Sequence, residues 1–341
     1  MAALTDSQIG IKKESTYGTP VTVDRFYTME EGTTYSYEPR RRQSMGLQVG
    51  SRFPLGARSV MRTPQAEVTL KVALQSKHLG LLWEAGLGVI AHTVVSGSTY
   101  QQRAHTGITG VVLPSYTIQI GHVRNDGNVD PKTFAGCTAK SLELDFPGED
   151  SDDGPTLTIV FDALSMATAT GLASASYATS PYLFDASQCA GGMGLGGSVT
   201  VPTTTALGSG PTSFADVKSW NLKVEHGVDV GRWVQTAQRR NQPTAGVPKA
   251  TLTAEIEYNA LTVPTAIIAG TLLPFYATYT TSEALSSGFS QFQAVIPQMV
   301  LNKDLPAPSR ETVVMSVEAD ILEDGTNEAV YIVHRTADTA A

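Results

Sequence analysis

Residues 134–164 read FAGCTAKSLELDFPGEDSDDGPTLTIVFDAL, and a similar stretch, SRETVVMSVEADILEDGTNEAVYIVHRT, occupies residues 309–336. Both stretches alternate apolar and polar residues, contain a Ser-x-Glu pair and include an acidic segment with a glycine. Alternation with a period of two is typical of a β-strand with one buried and one exposed face. The two stretches therefore predict a pair of strands and a polar turn that occurs twice in one chain.

The same order of segments continues upstream. Residues 66–86 align without gaps with residues 250–270, and both segments alternate, continue into an apolar stretch that predicts a short helix, and end in Ala-Gly. Further matches flank this alignment, at residues 34–42 with 222–229 and at residues 116–127 with 292–304. The shared order predicts tandem copies of one β-rich domain, residues 1–170 and residues 171–341, of which the second begins with a Gly/Ser/Thr-rich linker.

The composition favours strands and turns over long helices. The chain has 341 residues, more than the roughly 250–300 residues at which single cores stop growing, and this length fits two domains. Charged residues make up only 16% of the chain, and Thr, Ser, Ala, Val and Gly fill much of the rest. We therefore predict an all-β, mainly antiparallel fold with short flanking helices.

The charge balance disfavours one class of function. Lys and Arg total 24 against 32 Asp and Glu, which gives a net charge of -8. Proteins that grip nucleic acid neutralise phosphates with clustered cations, so an acidic chain is a poor candidate for such binding. A surface that passes DNA without holding it remains compatible with this charge.

Motifs for catalysis, cofactors or metals are weak in this sequence. Gly192, Gly194 and Gly197 form G-x-G-x-x-G, but the residues that follow predict a strand or loop where a dinucleotide site needs a helix, so we interpret this segment as a hairpin or linker. The six histidines lack the spacing of paired ligands. The acidic residues 148–154 lack the alternating ligands of a calcium loop and indicate a solvated turn. We predict neither an enzyme nor a cofactor.

The two cysteines and the apolar segments bear on location. Cys137 and Cys189 are far apart and lack the spacing of a metal or redox motif, so we expect buried small residues, with a single disulfide as the alternative. No run of about 18 apolar residues and no secretory leader is visible. We expect a soluble protein that is made in the cytoplasm and does not enter a membrane.

Each copy contains a long insert between its first two matched strands. Residues 39–65 and 226–249 are rich in Arg, Gly and Gln and lack an amphipathic period, so we predict protruding hairpins, called here the first and second arm, that pack on another surface. Their arginines would contact either phosphate or the carboxylates of a neighbouring subunit, and the negative chain favours the second choice. The candidate interface residues are Arg40, Arg41, Arg42, Arg52, Arg58, Arg62, Arg232, Trp233, Arg239 and Arg240.

Two motifs carry a resemblance to a known family. Residues 9–33, IGIKKESTYGTPVTVDRFYTMEEGT, resemble the start of major tail tube proteins of long-tailed, siphovirus-type bacteriophages, where G-x-x-x-E-x-x-Y-G-T-x-V precedes an aromatic strand. Residues 134–144 are similar to the F-x-G-C-x-x-x-x-L-x-L segment near the end of the tail-tube domain. The second copy departs from this pattern, with Pro308, Ser309 and Arg310 in place of Phe-x-Gly.

The resemblance implies a structural virion protein. Tail-tube domains are β-sandwiches or barrels with a helix on the side, and their inner strands join across subunits into a barrel around a channel. Two tandem domains would close a pseudo-hexameric ring from three chains, and the rings would stack into a tube in the virion tail after synthesis in the host cytoplasm. The implied partners are further copies of the chain, the tape measure, tail terminator and distal tail proteins, and double-stranded DNA that passes through without specific binding.

The polar members of the alternating strands are the candidates for the channel wall. An acidic or neutral lining avoids the counterion-release attraction that a basic wall would exert on DNA. A shift by one residue would exchange the two faces of a strand, so these positions are expectations about register. They are Glu67, Thr69, Lys71, Thr251, Thr253, Glu255 and Glu257.

Two other classes of function remain open at this point. A β-rich virion decoration or receptor-binding protein would share the composition but would not form tubes. A carbohydrate-active β-protein would need paired carboxylates and aromatic platforms. Aromatic residues are only 7% of the chain, and the tryptophans are dispersed at Trp83, Trp220 and Trp233.

Overall fold

Strands dominate the structure, a computed structural model, and they are accompanied by two short α-helices. The prediction of an all-β, mainly antiparallel fold is confirmed. The structure describes residues 7–46, 48–50, 52–107, 112–189, 193–210, 217–229, 234–235, 238–239, 242–257, 262–302 and 314–340.

The elements follow in two groups along the chain. The first group comprises β1 (Gln8–Lys13), β2 (Arg25–Tyr27), β3 (Thr34–Glu38), β4 (Arg41–Gln43), β5 (Ser59–Met61), β6 (Gln65–Ala73), α1 (Gly80–Leu87), β7 (Gly88–Ser96), β8 (Thr99–Thr106), β9 (Tyr116–Val123), β10 (Val129–Phe146), β11 (Thr156–Ala163) and β12 (Ser165–Ala167). The second group comprises β13 (Met193–Leu195), β14 (Val217–Glu225), β15 (Val234–Gln235), β16 (Gln238–Arg239), β17 (Lys249–Glu257), α2 (Thr262–Ala269), β18 (Leu273–Ala284), β19 (Phe289–Leu301), β20 (Val314–Ile321) and β21 (Tyr331–Thr336).

The two groups repeat one pattern of antiparallel pairing. In the first group the order β1-β9-β10-β12 forms one set of neighbours and β3-β6-β11-β10 another, so β10 belongs to both. In the second group the corresponding orders are β13-β18-β19-β21 and β14-β17-β20-β19. The long strands β10 and β19 therefore take equivalent places. The hairpin β7–β8 is an addition to the first group.

Part of the sequence alignment is correct in register. Glu38 lies opposite Gln65, and Glu225 lies opposite Lys249, at equivalent positions of β3–β6 and β14–β17. The later matches are wrong by one strand, since the alignment placed β9 against β19, whereas the pairing makes β18 the counterpart of β9. The alternating patterns of successive strands are interchangeable in sequence, and only their partners distinguish them.

One strand pairing joins the two groups into a single sheet. Residues Ser141–Phe146 of β10 pair with residues Trp220–Glu225 of β14. The result is a continuous order β3-β6-β11-β10-β14-β17-β20-β19, called here the eight-stranded sheet. A second junction pairs β21 with β8.

The core is shared between the two groups. The ring of Phe146 stacks on Trp220 and on Tyr279 with centroids 4.4 Å apart in each case. The indole Nε1 of Trp220 donates a hydrogen bond of 2.7 Å to the hydroxyl of Tyr279. From α1, the fully buried Trp83 lies 5.7 Å from Phe292 of β19, centroid to centroid. Burial of large aromatic side chains contributes strongly to stability, so this cluster fixes the two groups to each other.

The cysteines are free thiols in the structure. Cys137 is fully buried in the core and Cys189 is half-buried. Cys137 therefore behaves as the small buried residue that we expected, and burial raises the pKa of its thiol well above the usual value.

Glu14 joins the two motifs that carry the family resemblance. Its carboxylate is buried and accepts four hydrogen bonds of 2.9 Å, two from the backbone amides of Gly18 and Gly136 and two from the hydroxyls of Ser115 and Thr117. These donors satisfy both oxygens, which is the condition for burying a carboxylate. The G-x-x-x-E-x-x-Y-G-T motif is thereby fixed to the F-x-G-C motif.

Gly136 marks the bend at which β10 passes from one set of strands to the other. Its φ is +65°, a left-handed conformation that favours glycine. A Cβ atom built on it would lie 2.7 Å from the Cβ of Leu164, so a side chain does not fit. The register between β9 and β10 shifts here, between Phe134 and Cys137. The bend therefore requires glycine on two independent grounds.

We expect Glu14→Gln to destabilise the protein by about 1–3 kcal/mol for each buried amide left without an acceptor, because the glutamine NH2 group replaces one accepting oxygen. Urea unfolding followed by circular dichroism measures the effect. Glu31→Gln, at an exposed turn position, is the matched control. Equal midpoints for the two variants would contradict the structural role of Glu14.

His334 predicts a dependence of stability on pH. It is fully buried in β21, and burial lowers the pKa of its imidazole to about 3. The unfolded chain takes up this proton near pH 6.5 whereas the folded chain does not, so stability is present above that pH and is lost as the pH falls towards 3. The expected slope is about 1.4 kcal/mol per pH unit in that window.

The variant His334→Gln should lose this part of the slope in urea titrations between pH 4 and 6. His122→Gln, at an exposed position of β9, is the control. A slope that falls equally in both variants would rule out His334 as the origin.

Candidate functional site

The eight-stranded sheet has one buried and one solvent-exposed face. In β6, Val68 and Leu70 are fully buried, while Glu67, Thr69 and Lys71 alternate with them and are partly exposed. The same alternation continues in the second group. In β17, Leu252 and Ala254 are buried, whereas Thr251, Thr253 and Glu255 point to the exposed face. The side chain of Glu257 lies outside the described residues.

The registers place the candidates from both groups on one continuous surface. Lys71 lies opposite Thr158, Thr158 opposite Glu143, Glu143 opposite Lys223, and Lys223 opposite Thr251. Residues that are direct partners across a sheet share a face. Lys71 and Thr251 therefore stand in one row, roughly 19 Å apart at about 4.8 Å per strand. We call this surface the polar face.

Carboxylates outnumber ammonium groups on the polar face. Its acidic residues that are exposed or partly exposed are Glu38, Glu67, Glu143, Asp145, Glu225, Glu255, Glu318 and Asp320, and its lysines are Lys71, Lys140, Lys223 and Lys249. The face therefore carries a net negative charge. It also carries Thr, Ser and Asn side chains, which keep it polar between the charges.

Some of these charges are paired. Lys140 Nζ lies 2.5 Å from a carboxylate oxygen of Glu67, and Lys223 Nζ lies 2.7 Å from Glu225. The hydrogen bond from Lys223 lowers the pKa of the Glu225 carboxyl. Both pairs are exposed enough that solvent screens them, so they contribute little to stability. The two ion pairs fix the positions of these charged groups on the polar face.

Several residues of the polar face escaped the sequence analysis. The residues predicted from the sequence came from β6 and β17 alone, although Glu143 and Glu318 belong to the Ser-x-Glu pairs that the two quoted stretches share. Asn221 Nδ2 donates to Glu143 at 2.9 Å and to Asp145 at 3.2 Å, across the junction between β14 and β10. The alternation in these strands could have identified their polar residues from the sequence. Only the β10–β14 pairing shows that the strands belong to one continuous sheet.

Comparison with known proteins identifies a family. The model of the family described as phage tail tube protein matches residues 5–329, which is nearly the whole chain. The chain belongs to the phage tail tube protein family. It is a structural component of a phage tail, as the resemblance implied. A search of the curated proteins finds no match to this tail tube protein.

The two arms of the tail tube protein leave the same end of the eight-stranded sheet. The first arm connects β3 to β6 and the second connects β14 to β17, and in each case the strands are antiparallel neighbours that end together. In the first arm, β4 and β5 form a separate two-stranded sheet. Its six arginines are exposed, and Arg58 Nη1 donates to the carbonyl of Gly46 at 3.2 Å.

The second arm is described only in part. It contains the short pair β15–β16. Arg232, Trp233 and Arg240 lie outside the described residues, as does the side chain of Arg239. Their role at an interface stays a prediction.

The opposite end of the sheet carries the acidic turn of residues 148–154. This turn joins β10 to β11, and its Asp150 lies 2.8 Å from Lys218 Nζ. The hydrogen bond from Lys218 lowers the pKa of Asp150. The turn and the first arm are therefore at opposite ends of the molecule.

Two further observations concern sites of other kinds in the described part of the tail tube protein. No three His, Cys, Asp or Glu side chains come together there as metal ligands would. None of its helices has the length and apolar character needed to cross a membrane.

Proposed function

We propose that this tail tube protein assembles as stacked rings in which the polar face lines a channel for the phage genome. The observation that carries the proposal is the continuity of the eight-stranded sheet across both halves of the chain, with one mainly polar face. A wall for a channel needs such an uninterrupted surface. Residues 1–170 and 171–341 would be the two tail-tube domains.

The β10–β14 pairing inside the chain suggests how neighbouring chains would pair with each other. β10 of the first group pairs with β14 of the second, and β14 is the counterpart of β3. By the same relation, β19 of one chain would pair with β3 of the next, since β3 pairs with β6 on one edge among the described residues. Repetition of one junction around an axis closes a ring, which removes open sheet edges. Three chains then give a pseudo-hexameric ring.

The charge of the polar face suits passage of DNA. A wall that presents mainly carboxylates and neutral polar groups releases no counterions from the phosphates and so has no strong attraction for them. DNA would move along such a wall without being held. The proposed role is structural, with no catalytic group and no cofactor, and the proposed partners are other copies of the chain, the tape measure, tail terminator and distal tail proteins. The rings would assemble in the host cytoplasm and end in the virion tail.

Negative-stain electron microscopy of the concentrated protein tests the assembly. We expect rings or tubes with a central hole and three chains per ring, because each chain supplies two equivalent sheet portions. Averages viewed down the tube axis, combined with the mass per ring, give the number of chains. Persistently monomeric particles would contradict the tube, and six chains per ring would contradict the pseudo-hexamer.

Charge reversal on the polar face tests the channel lining. The double variant Glu255→Lys and Glu318→Lys places new cations on neighbouring strands of the wall, repeated in every ring. We expect tubes to form but DNA ejection from variant particles to slow, because the added cations attract phosphate. The rate of ejection at several salt concentrations is the measurement.

A matched control carries the same change in charge elsewhere. Asp24→Lys and Asp126→Lys lie outside the polar face, at exposed positions. Ejection at the wild-type rate in the Glu255 and Glu318 variant would place these residues away from the channel.

A further inference from the structure

A cavity of about 540 Å³, called here the junction pocket, lies where the two groups of elements meet. Its walls come from the end of α1 at Leu87, from β14 and β17 at Val224 and Ala250, and from the segment after β20. Val224 and Ala250 are direct partners on the side of the sheet opposite to the polar face. The volume falls within the range of pockets that bind small molecules, and such pockets occur preferentially at junctions of this kind.

The junction pocket is apolar both at its floor and at its mouth. Leu87, Leu113 and Val224 line it and are almost completely buried. Val247 and Leu322 also line it, but they are 91% and 41% exposed. Protein interiors are otherwise close-packed, and a molecule in this space would cover both exposed side chains.

One polar side chain lies deep in the junction pocket. His226 is 4% exposed, and its Nε2 lies 2.7 Å from the carbonyl oxygen of Gly86. A carbonyl only accepts hydrogen bonds, so Nε2 carries the ring hydrogen and Nδ1 is left as an acceptor. Burial lowers the pKa of this imidazole, which keeps the ring neutral and Nδ1 without a proton.

The charges around the junction pocket disfavour an anion. The side chain of Glu323 is exposed at its rim, and none of the described residues that line it is a lysine or an arginine. α1 ends at Leu87, and the C-terminal end of a helix carries a partial negative charge. The pocket therefore favours a hydrogen-bond donor on a neutral or cationic molecule.

We propose that the junction pocket binds a small apolar molecule that carries a hydrogen-bond donor and no negative charge. The donor, a hydroxyl or an amine, bonds to Nδ1 of His226. The apolar body lies between the end of α1, β14 and the base of the second arm. This binding activity does not depend on the formation of a tube.

The junction pocket is also connected to the second arm. Residues 245–248, where the arm returns to β17, form part of its wall. The amide of Gly246 donates to the carbonyl of His226 at 3.0 Å, and Nε2 of Gln242 donates to the carbonyl of Leu113. A bound molecule thus contacts both groups and the base of the arm. Because these walls come together only in the folded chain, binding stabilises the fold by mass action.

Three probes with the same aromatic body test the chemistry of the site. They are 2-naphthol, which has a donor, naphthalene, which has no polar group, and 2-naphthoate, which has a negative charge. We expect 2-naphthol to bind about fivefold more tightly than naphthalene, as one hydrogen bond predicts. We expect 2-naphthoate to bind about tenfold more weakly than 2-naphthol, because its carboxylate loses hydration beside Glu323.

Isothermal titration calorimetry at neutral pH measures the three affinities. The midpoint of thermal unfolding should rise with the concentration of 2-naphthol. Equal affinities for all three probes would overturn the proposal, since they would indicate adsorption to apolar surface alone. Failure of 2-naphthol to bind would overturn it as well.

Two substitutions test the location. His226→Phe removes the acceptor but keeps an apolar ring, so it should weaken 2-naphthol by about fivefold and leave naphthalene within about twofold. Glu323→Gln removes the charge at the rim, so it should strengthen 2-naphthoate by several-fold and leave 2-naphthol nearly unchanged. Because Glu323 is exposed, this variant remains informative if His226→Phe does not fold.

Glu149→Gln is the matched control, at an exposed position of the acidic turn at the other end of the sheet. Probe affinities that are the same in Glu323→Gln and in this control would place binding outside the junction pocket. The measurements use the unassembled chain, so they are separate from the test of the tube. Probes that fail to bind would leave the proposed channel intact, and particles without tubes would leave the pocket intact.

Discussion

The hydrogen bond from the Gly136 amide to the Glu14 carboxylate stabilises the bend in β10, and the rest of the fold depends on this bend. The strand β10 bends at Gly136. It pairs with β9 and β12 before the bend and with β11 and β14 after it. The bend needs a left-handed φ and space where a Cβ would collide, so only glycine fits. The break in strand pairing leaves the Gly136 amide without a backbone acceptor, and the buried Glu14 carboxylate accepts its hydrogen bond instead. One acidic residue near the N-terminus thus stabilises a bend more than a hundred residues away.

The continuous sheet follows from this bend. Because β10 leaves its first set of partners, its second part is free to pair on both edges, with β11 on one side and β14 on the other. The pairing with β14 brings the second half of the chain into register with the first. The aromatic cluster of Phe146, Trp220 and Tyr279 lies beneath this junction and excludes water from it. A polar face that crosses both halves is the consequence.

The difference between the two ends of the sheet has an equally simple origin. Antiparallel neighbours end together, so the connections β3–β6 and β14–β17 leave one end of the sheet, and the connection β10–β11 leaves the other. The sequence placed arginines in the first connection and carboxylates in the last. The two ends of the sheet therefore differ in charge in a chain that belongs to the phage tail tube protein family.

The sequence by itself determined the alternating strands and which side of each strand is polar, because these properties depend on local periodicity. From the shared order of segments it predicted tandem copies of one domain. It also aligned Glu38 with Glu225 in the correct register. The sequence alignment matched each later strand to the wrong strand of the other half, one strand further along the chain. It also missed Glu143 and Glu318, which lie on the same surface as Lys71. Only the tertiary structure decided these points, since the pairing of β10 with β14 and of β20 with β17 joins residues far apart in the chain, and alternating strands carry no local record of their partners.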